Sequence, residues 1–118
     1  MKYIKSFAYA ISGFSYAFRT QSNMRFHVLA AVAAILMSLL LRINIIEWCI
    51  IVLCIGSVFT AELINTSIEV SIDLTSPGYN KQAGHAKDLA AAAVFVVCIA
   101  SAIIGLIIFV PYIVNLFL

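Results

Sequence analysis

The chain has 118 residues, 64% of them hydrophobic and 10% charged, and carries a net charge of +2. A mean hydropathy of +1.12 lies far outside the soluble range, so one membrane domain covering residues 1–118 is expected. The seven basic residues are spread out instead of forming a tract, which excludes a nucleic-acid-binding surface.

In residues 2–20, Lys2, Lys5, Tyr9, Ser12, Tyr16 and Arg19 recur at helical spacing, and Ile4, Phe7, Ile11, Phe14 and Phe18 form an offset apolar stripe. This pattern predicts an amphipathic helix lying in the membrane interface with its apolar side down. Polar residues recur through the first twenty positions, so the segment does not read as a cleavable signal peptide and is expected to remain in the mature protein. Thr20-Gln21-Ser22-Asn23 is a polar break in which Ser22 or Asn23 can cap the next helix.

The first transmembrane helix is expected over residues 24–42. Its uncharged stretch from Val28 to Leu41 gives only ~21 Å of helix, and Met24 to His27 and Arg42 extend it to the interfaces. Arg42-Ile43-Asn44 reads as a turn flanked by Arg42 and Glu47. The second helix is expected over 45–72, with Trp48 in an interfacial belt. Thr75 to Asn80 contains Pro77 and Gly78 and is the clearest loop signal. Leu89 to Val110 carries no charge and anchors a third span over 86–110. Cys49, Cys54 and Cys98 sit in apolar runs without the close spacing of thiolate metal sites, and read as small buried hydrophobes. His27 and His85 have no second ligand at helical spacing and read as interfacial or hydrogen-bonded side chains.

Within the second span, Glu62, Asn65, Glu69 and Asp73 fall inside an arc of roughly 80° on one helix face. Charges at membrane depth cost about 3 kcal/mol or more each, so they are rare and face a bundle interior or an aqueous cavity. Basic residues cluster before the first span and between the second and third, at Lys2, Lys5, Arg19, Arg25, Lys81 and Lys87, against Arg42 alone in the intervening turn. The positive-inside rule therefore predicts a cytoplasmic amino terminus and 74–88 loop, with the carboxyl terminus outside. Carboxylates beside lysines and tyrosines on that face suit Mg²⁺ carrying phosphate oxygens. Glu69 and Asn65 can share such a complex, Lys87 can neutralise phosphate, and Asp88 can orient it. Glu62, nearest the hydrocarbon, is placed to act as a general base toward a lipid hydroxyl. No Gly-rich nucleotide motif is present, which argues against ordinary soluble kinases.

The run E-L-I-N-T-S-I-E-V-S-I-D from Glu62 to Asp73, followed after twelve intervening residues by Ala86-Lys87-Asp88 and an alanine-rich helix start, resembles the small integral-membrane lipid kinases of bacteria that include diacylglycerol kinase and undecaprenol kinase. The resemblance covers nearly the whole chain. It implies an all-α fold with an N-terminal surface helix and three transmembrane helices, assembled as a homotrimer in the bacterial inner membrane with active sites shared between protomers. It also implies transfer of the γ-phosphoryl of MgATP to the hydroxyl of a membrane lipid, which feeds lipid carrier recycling or phospholipid metabolism.

Carried over by motif, Glu62 would be the catalytic base and Glu69 a metal ligand that also contacts ATP. Asn65, Asp73, Lys87 and Asp88 would bind ATP, joined by Tyr9 and, less directly, Lys2 on the surface helix. Gln21 stands where the family usually carries a metal-binding glutamate, and its carboxamide oxygen would contact metal and ATP there without adding negative charge. N-M-R-F-H at Asn23 to His27 and I-I-E-W at Ile45 to Trp48 resemble the undecaprenol kinases more, which favours undecaprenol over diacylglycerol as acceptor. A proton- or cation-coupled transporter would also account for acidic residues in a bundle, and a non-catalytic scaffold is the third option, but neither gives Lys87 and Asp88 or the tyrosine-bearing helix a role.

Overall fold

The computed structural model describes all 118 residues as four helices: α1 Lys2–Thr20, α2 Ser22–Leu41, α3 Ile45–Thr75 and α4 Lys81–Phe117. Helices α2, α3 and α4 are each long and apolar enough to cross a membrane. Only 12 of the 118 residues are buried, while large apolar side chains such as Leu29, Leu40, Leu53, Phe95 and Leu106 face outward. A chain with so little interior cannot be stabilised by its own core in water; its apolar surface needs lipid or further protein against it.

Helix α1 ends at Gln21, whose extended backbone (φ −114°, ψ 115°) turns the chain into α2. Gln21 itself occupies the N-cap position of α2, with no side-chain cap. The expected cap at Ser22 or Asn23 is therefore corrected: both residues are already in the first turn. Arg25 closes the junction from the other side, its Nη1 donating to the carbonyls of Phe18 (2.9 Å) and Arg19 (3.1 Å), and so supplies partners and positive charge to the open end of α1. Phe14 packs edge-on against Phe59, with ring centroids 5.6 Å apart, which ties α1 to α3.

Helix α2 ends at Arg42 in the left-handed conformation (φ 54°, ψ 52°) that glycine usually takes at this place. The turn is then fixed by a reciprocal cap: Asn44 Oδ1 accepts from the Glu47 amide (2.9 Å) and Glu47 Oε1 accepts from the Asn44 amide (3.0 Å). The same Glu47 oxygen accepts from the Tyr112 hydroxyl of α4. Beneath this tie, Ile43, Ile51 and Ile108 form the main apolar cluster, with Trp48, Ile55 and Phe109 against it. At the far end, residues 76–80 connect α3 to α4, and Asn80 Oδ1 caps α4 through the Ala83 amide (3.0 Å).

Helix α4 is longer at both ends than the 86–110 segment expected. Asn80 starts it at Lys81, and it continues through Pro111 to Phe117. Proline removes one amide donor and crowds the preceding turn, yet Tyr112, directly after it, is anchored to α3 by the Glu47 hydrogen bond. Helix α3 likewise runs past the expected residue 72 to Thr75, which gives it 31 residues, or ~46 Å. That exceeds a hydrocarbon core of ~30 Å and leaves its last turns beyond apolar depth.

Candidate active site

Helix α3 carries the polar stripe in an order of increasing exposure. Glu62 is 1% exposed and Asn65 5%, with Thr66 buried beside them; Glu69 is half-buried and Asp73 exposed. Both carboxylate oxygens of Glu62 and the Oδ1 of Asn65 are enclosed without any hydrogen-bond partner. Such atoms are costly to bury, by roughly 1–3 kcal/mol each when neutral and more when charged. The Thr66 hydroxyl cannot relieve Glu62, because it donates to the Glu62 main-chain carbonyl at 2.9 Å. Asn65 instead directs its Nδ2 to Glu69 Oε1 at 3.5 Å, so these two side chains share one end of the stripe and leave the amide oxygen free.

The loop between α3 and α4 folds Lys87 back so that its Nζ donates to Asp73 Oδ1 at 2.5 Å, joining two residues 14 apart in sequence. Glu62, Asn65, Glu69, Asp73 and Lys87 thus form one continuous line from the apolar depth of α3 to its exposed end. Asp88 is exposed one residue beyond Lys87. Tyr9 is 72% exposed on α1, and Lys2 is exposed and Gln21 half-buried. No hydrogen bond or ion pair in the single chain connects Tyr9, Lys2, Gln21 or Asp88 to that line.

One side chain at this site goes beyond the sequence reading. His27 of α2 places its Nε2 3.6 Å from Glu62 Oε2, with both side chains almost closed to solvent. A search along its own helix for a partner misses this neighbour, which lies 35 positions away on α3; the crossing of the two helices makes the contact. His27 also lines a groove of about 360 Å³ between α2, α3 and α4, whose walls include Ala30, Ile55, Cys98 and Phe109. A second, larger groove of about 1020 Å³ runs along α3 and α4 past Gly56, Ser57, Ala61, Ala90 and Ala93, with Asn65 in its wall. The arrangement can hold a proton at a dry carboxylate, hold an anion near Lys87, and admit an apolar chain between them.

The prokaryotic diacylglycerol kinase family model matches residues 8–109. The chain is 44% identical over 110 residues to the undecaprenol kinase of Bacillus subtilis, a match covering 93% of this chain and 89% of that one. It is 43% identical over 101 residues to a diacylglycerol kinase of Synechocystis, covering 85% of this chain and 58% of the longer protein. A diacylglycerol kinase of Helicobacter pylori is 36% identical over 90 residues, covering 75% of this chain and 70% of that one.

Proposed function

This chain belongs to the prokaryotic diacylglycerol kinase family and is a lipid kinase, and we propose that it transfers the γ-phosphoryl of MgATP to the hydroxyl of undecaprenol. Support for undecaprenol over diacylglycerol is the match to the Bacillus subtilis undecaprenol kinase, which runs through nearly the whole of both chains, together with the N-M-R-F-H and I-I-E-W stretches. The transporter reading has no support in these relatives, all of which are named as kinases.

The observation that carries the mechanism is Glu62: a carboxylate sealed at apolar depth, with neither oxygen committed to a hydrogen bond. In the reading advanced here it accepts the proton of the lipid hydroxyl while that oxygen bonds to the γ-phosphorus. The bond between the γ-phosphorus and the β,γ-bridging oxygen breaks, and its electron pair leaves with ADP. The products are a lipid phosphate, ADP and a protonated Glu62. An apolar alcohol reaches this depth by staying in the bilayer, and the groove beside His27 offers its chain a path. The nucleotide is brought from the wet end, where Asp73 and Lys87 are paired and Asp88 follows. Glu62 and Glu69 lie two turns apart, ~10 Å along the axis, so the acceptor hydroxyl and the phosphate chain approach each other along one helix.

The donor set at that end is oxygen-only, and the free Asn65 Oδ1 beside Glu69 fits the hard ligands that Mg²⁺ takes together with phosphate. Glu69 and Gln21 would hold the ion, which supplies charge neutralisation to the transferring phosphoryl group. Tyr9 and Lys2 reach ATP from α1, which lies in the cytoplasmic interface of the inner membrane with Ile4, Phe7 and Ile11, all exposed in the single chain, turned into lipid. The active chain is a homotrimer. The small residues along the larger groove, Gly56, Ser57, Ala61, Ala90 and Ala93, allow the close helix approach that such packing in a membrane requires.

The test is phosphoryl transfer by purified protein in mixed micelles with MgATP and either undecaprenol or diacylglycerol, beside Glu62→Gln. Phosphate is expected on undecaprenol, with the variant nearly inactive. Faster transfer to diacylglycerol would reverse the acceptor assignment, and transfer surviving in Glu62→Gln would remove Glu62 as the base.

A further inference from the structure

Of the two acid–base contacts in the chain, only that between His27 and Glu62 is closed to solvent at both partners. It joins two different spans, it is almost dry at both partners, and it leaves a small gap, 3.6 Å between Nε2 and Oε2, instead of a formed hydrogen bond. Glu62 has no other recourse. The Thr66 hydroxyl is occupied by a main-chain carbonyl, the Asn65 amide group is turned toward Glu69, and no lysine or arginine lies within ion-pair distance of it. Arg25, two residues before His27 on α2, is committed to the carbonyls closing α1. From α4 the Cys98 thiol lines the same groove as His27 but offers only a weak donor.

We infer that His27 is a positioning residue for the lipid kinase reaction: by closing the 3.6 Å gap, its Nε2 takes hold of Glu62 Oε2 and fixes the carboxylate so that Oε1 is presented to the acceptor hydroxyl. The inference rests on Glu62 being the base. A glutamate side chain rotates about three bonds, and a buried carboxylate without a partner has several orientations of similar energy. A general base must lie within about 3 Å of the proton it takes, and misplacement by about 1 Å can cost a hundredfold in rate. One hydrogen bond formed across that 3.6 Å gap from a neighbouring helix removes that freedom. Because the imidazole is itself held in the wall of the groove beside Ala30 and Phe109, it is fixed relative to the incoming alcohol as well as to the base.

The experiment compares His27→Ala, His27→Gln and Glu62→Gln in mixed micelles, with separate titrations of MgATP and lipid alcohol and a thermal unfolding curve for each. Glutamine keeps an N–H donor at similar reach; alanine keeps none. His27→Ala is expected to lower kcat by about ten- to a hundredfold with the KM for MgATP changed less than about twofold, because Glu69, Asp73 and Lys87 lie two turns or more from Glu62 along the stripe and Asn65, the one nearer group, is turned toward Glu69. His27→Gln is expected to recover most of that loss. A kcat in His27→Ala equal to the parent's, or a His27→Gln as slow as alanine while unfolding at the parent's temperature, would overturn the inference. If Glu62→Gln remains active, the reading of Glu62 as base has failed; if only the His27 variants behave like the parent, the base stands and the positioning role is lost.

Discussion

Replacing Glu62 by methionine should make the protein more stable and inactive. The side chain is 1% exposed, neither of its oxygens is hydrogen-bonded, and the one basic side chain beside it is a histidine 3.6 Å away. If the group is ionised, its burial costs about 3 kcal/mol, the order found for carboxylates at the centre of inserted helices. If it is protonated, an unsatisfied carboxyl group still costs about 1–3 kcal/mol. Methionine has similar length, adapts its shape and brings no polar atom, so either state predicts a gain of about 2 kcal/mol, a factor of roughly 30 in the unfolding constant. The gain should be read as a later midpoint in a denaturant titration of the micellar protein followed by helical circular dichroism, beside a phosphoryl-transfer assay. An earlier midpoint for Glu62→Met, by the equivalent of 1 kcal/mol or more, would refute the reasoning. It would mean that the carboxylate is well satisfied in the assembled protein and that burial does not leave it free to react.

Other outcomes follow from the wet end of the stripe. Asp73 and Lys87 are largely exposed as a pair, so Asp73→Asn or Lys87→Met should change stability by less than about 1 kcal/mol. The same substitutions should raise the KM for MgATP about tenfold in the transfer assay. Restoring a carboxylate at the helix junction, with Gln21→Glu, should lower the Mg²⁺ concentration needed for half-maximal rate; an unchanged metal dependence would exclude position 21 from the cation site.

Helix α3 was readable residue by residue because the pitch of a helix is the same in any surroundings. Offsets of 3, 7 and 11 from Glu62 are enough to align the stripe, and the family motif adds the pairing of this face with Lys87. The helix ends were less legible. Pro111 normally argues for termination, and the hydrogen bond from Tyr112 to Glu47 that accompanies its continuation spans 65 residues, beyond any local pattern. Gln21 at the α2 cap position shows the same limit on a smaller scale: Ser22 and Asn23 are the better cap formers, but the α1–α2 junction is closed by Arg25 reaching back to Phe18 and Arg19. His27 escaped because its partner is set by how two spans cross. A lone histidine in an apolar run says nothing about what will lie opposite it, whereas the sequence resemblance included it only as part of N-M-R-F-H.

The uninterrupted course of α3 from Ile45 to Thr75 has a mechanical implication: the spacing of the acidic groups along it is geared to a screw. Inserting one residue between Glu62 and Glu69 would swing everything downstream by about 100°, turning Glu69 and Asp73 away from the face that Glu62 occupies. Inserting seven would restore the alignment but slide the two ends ~10 Å apart, so neither small nor large length changes are tolerated there. This rod admits substitution but not growth.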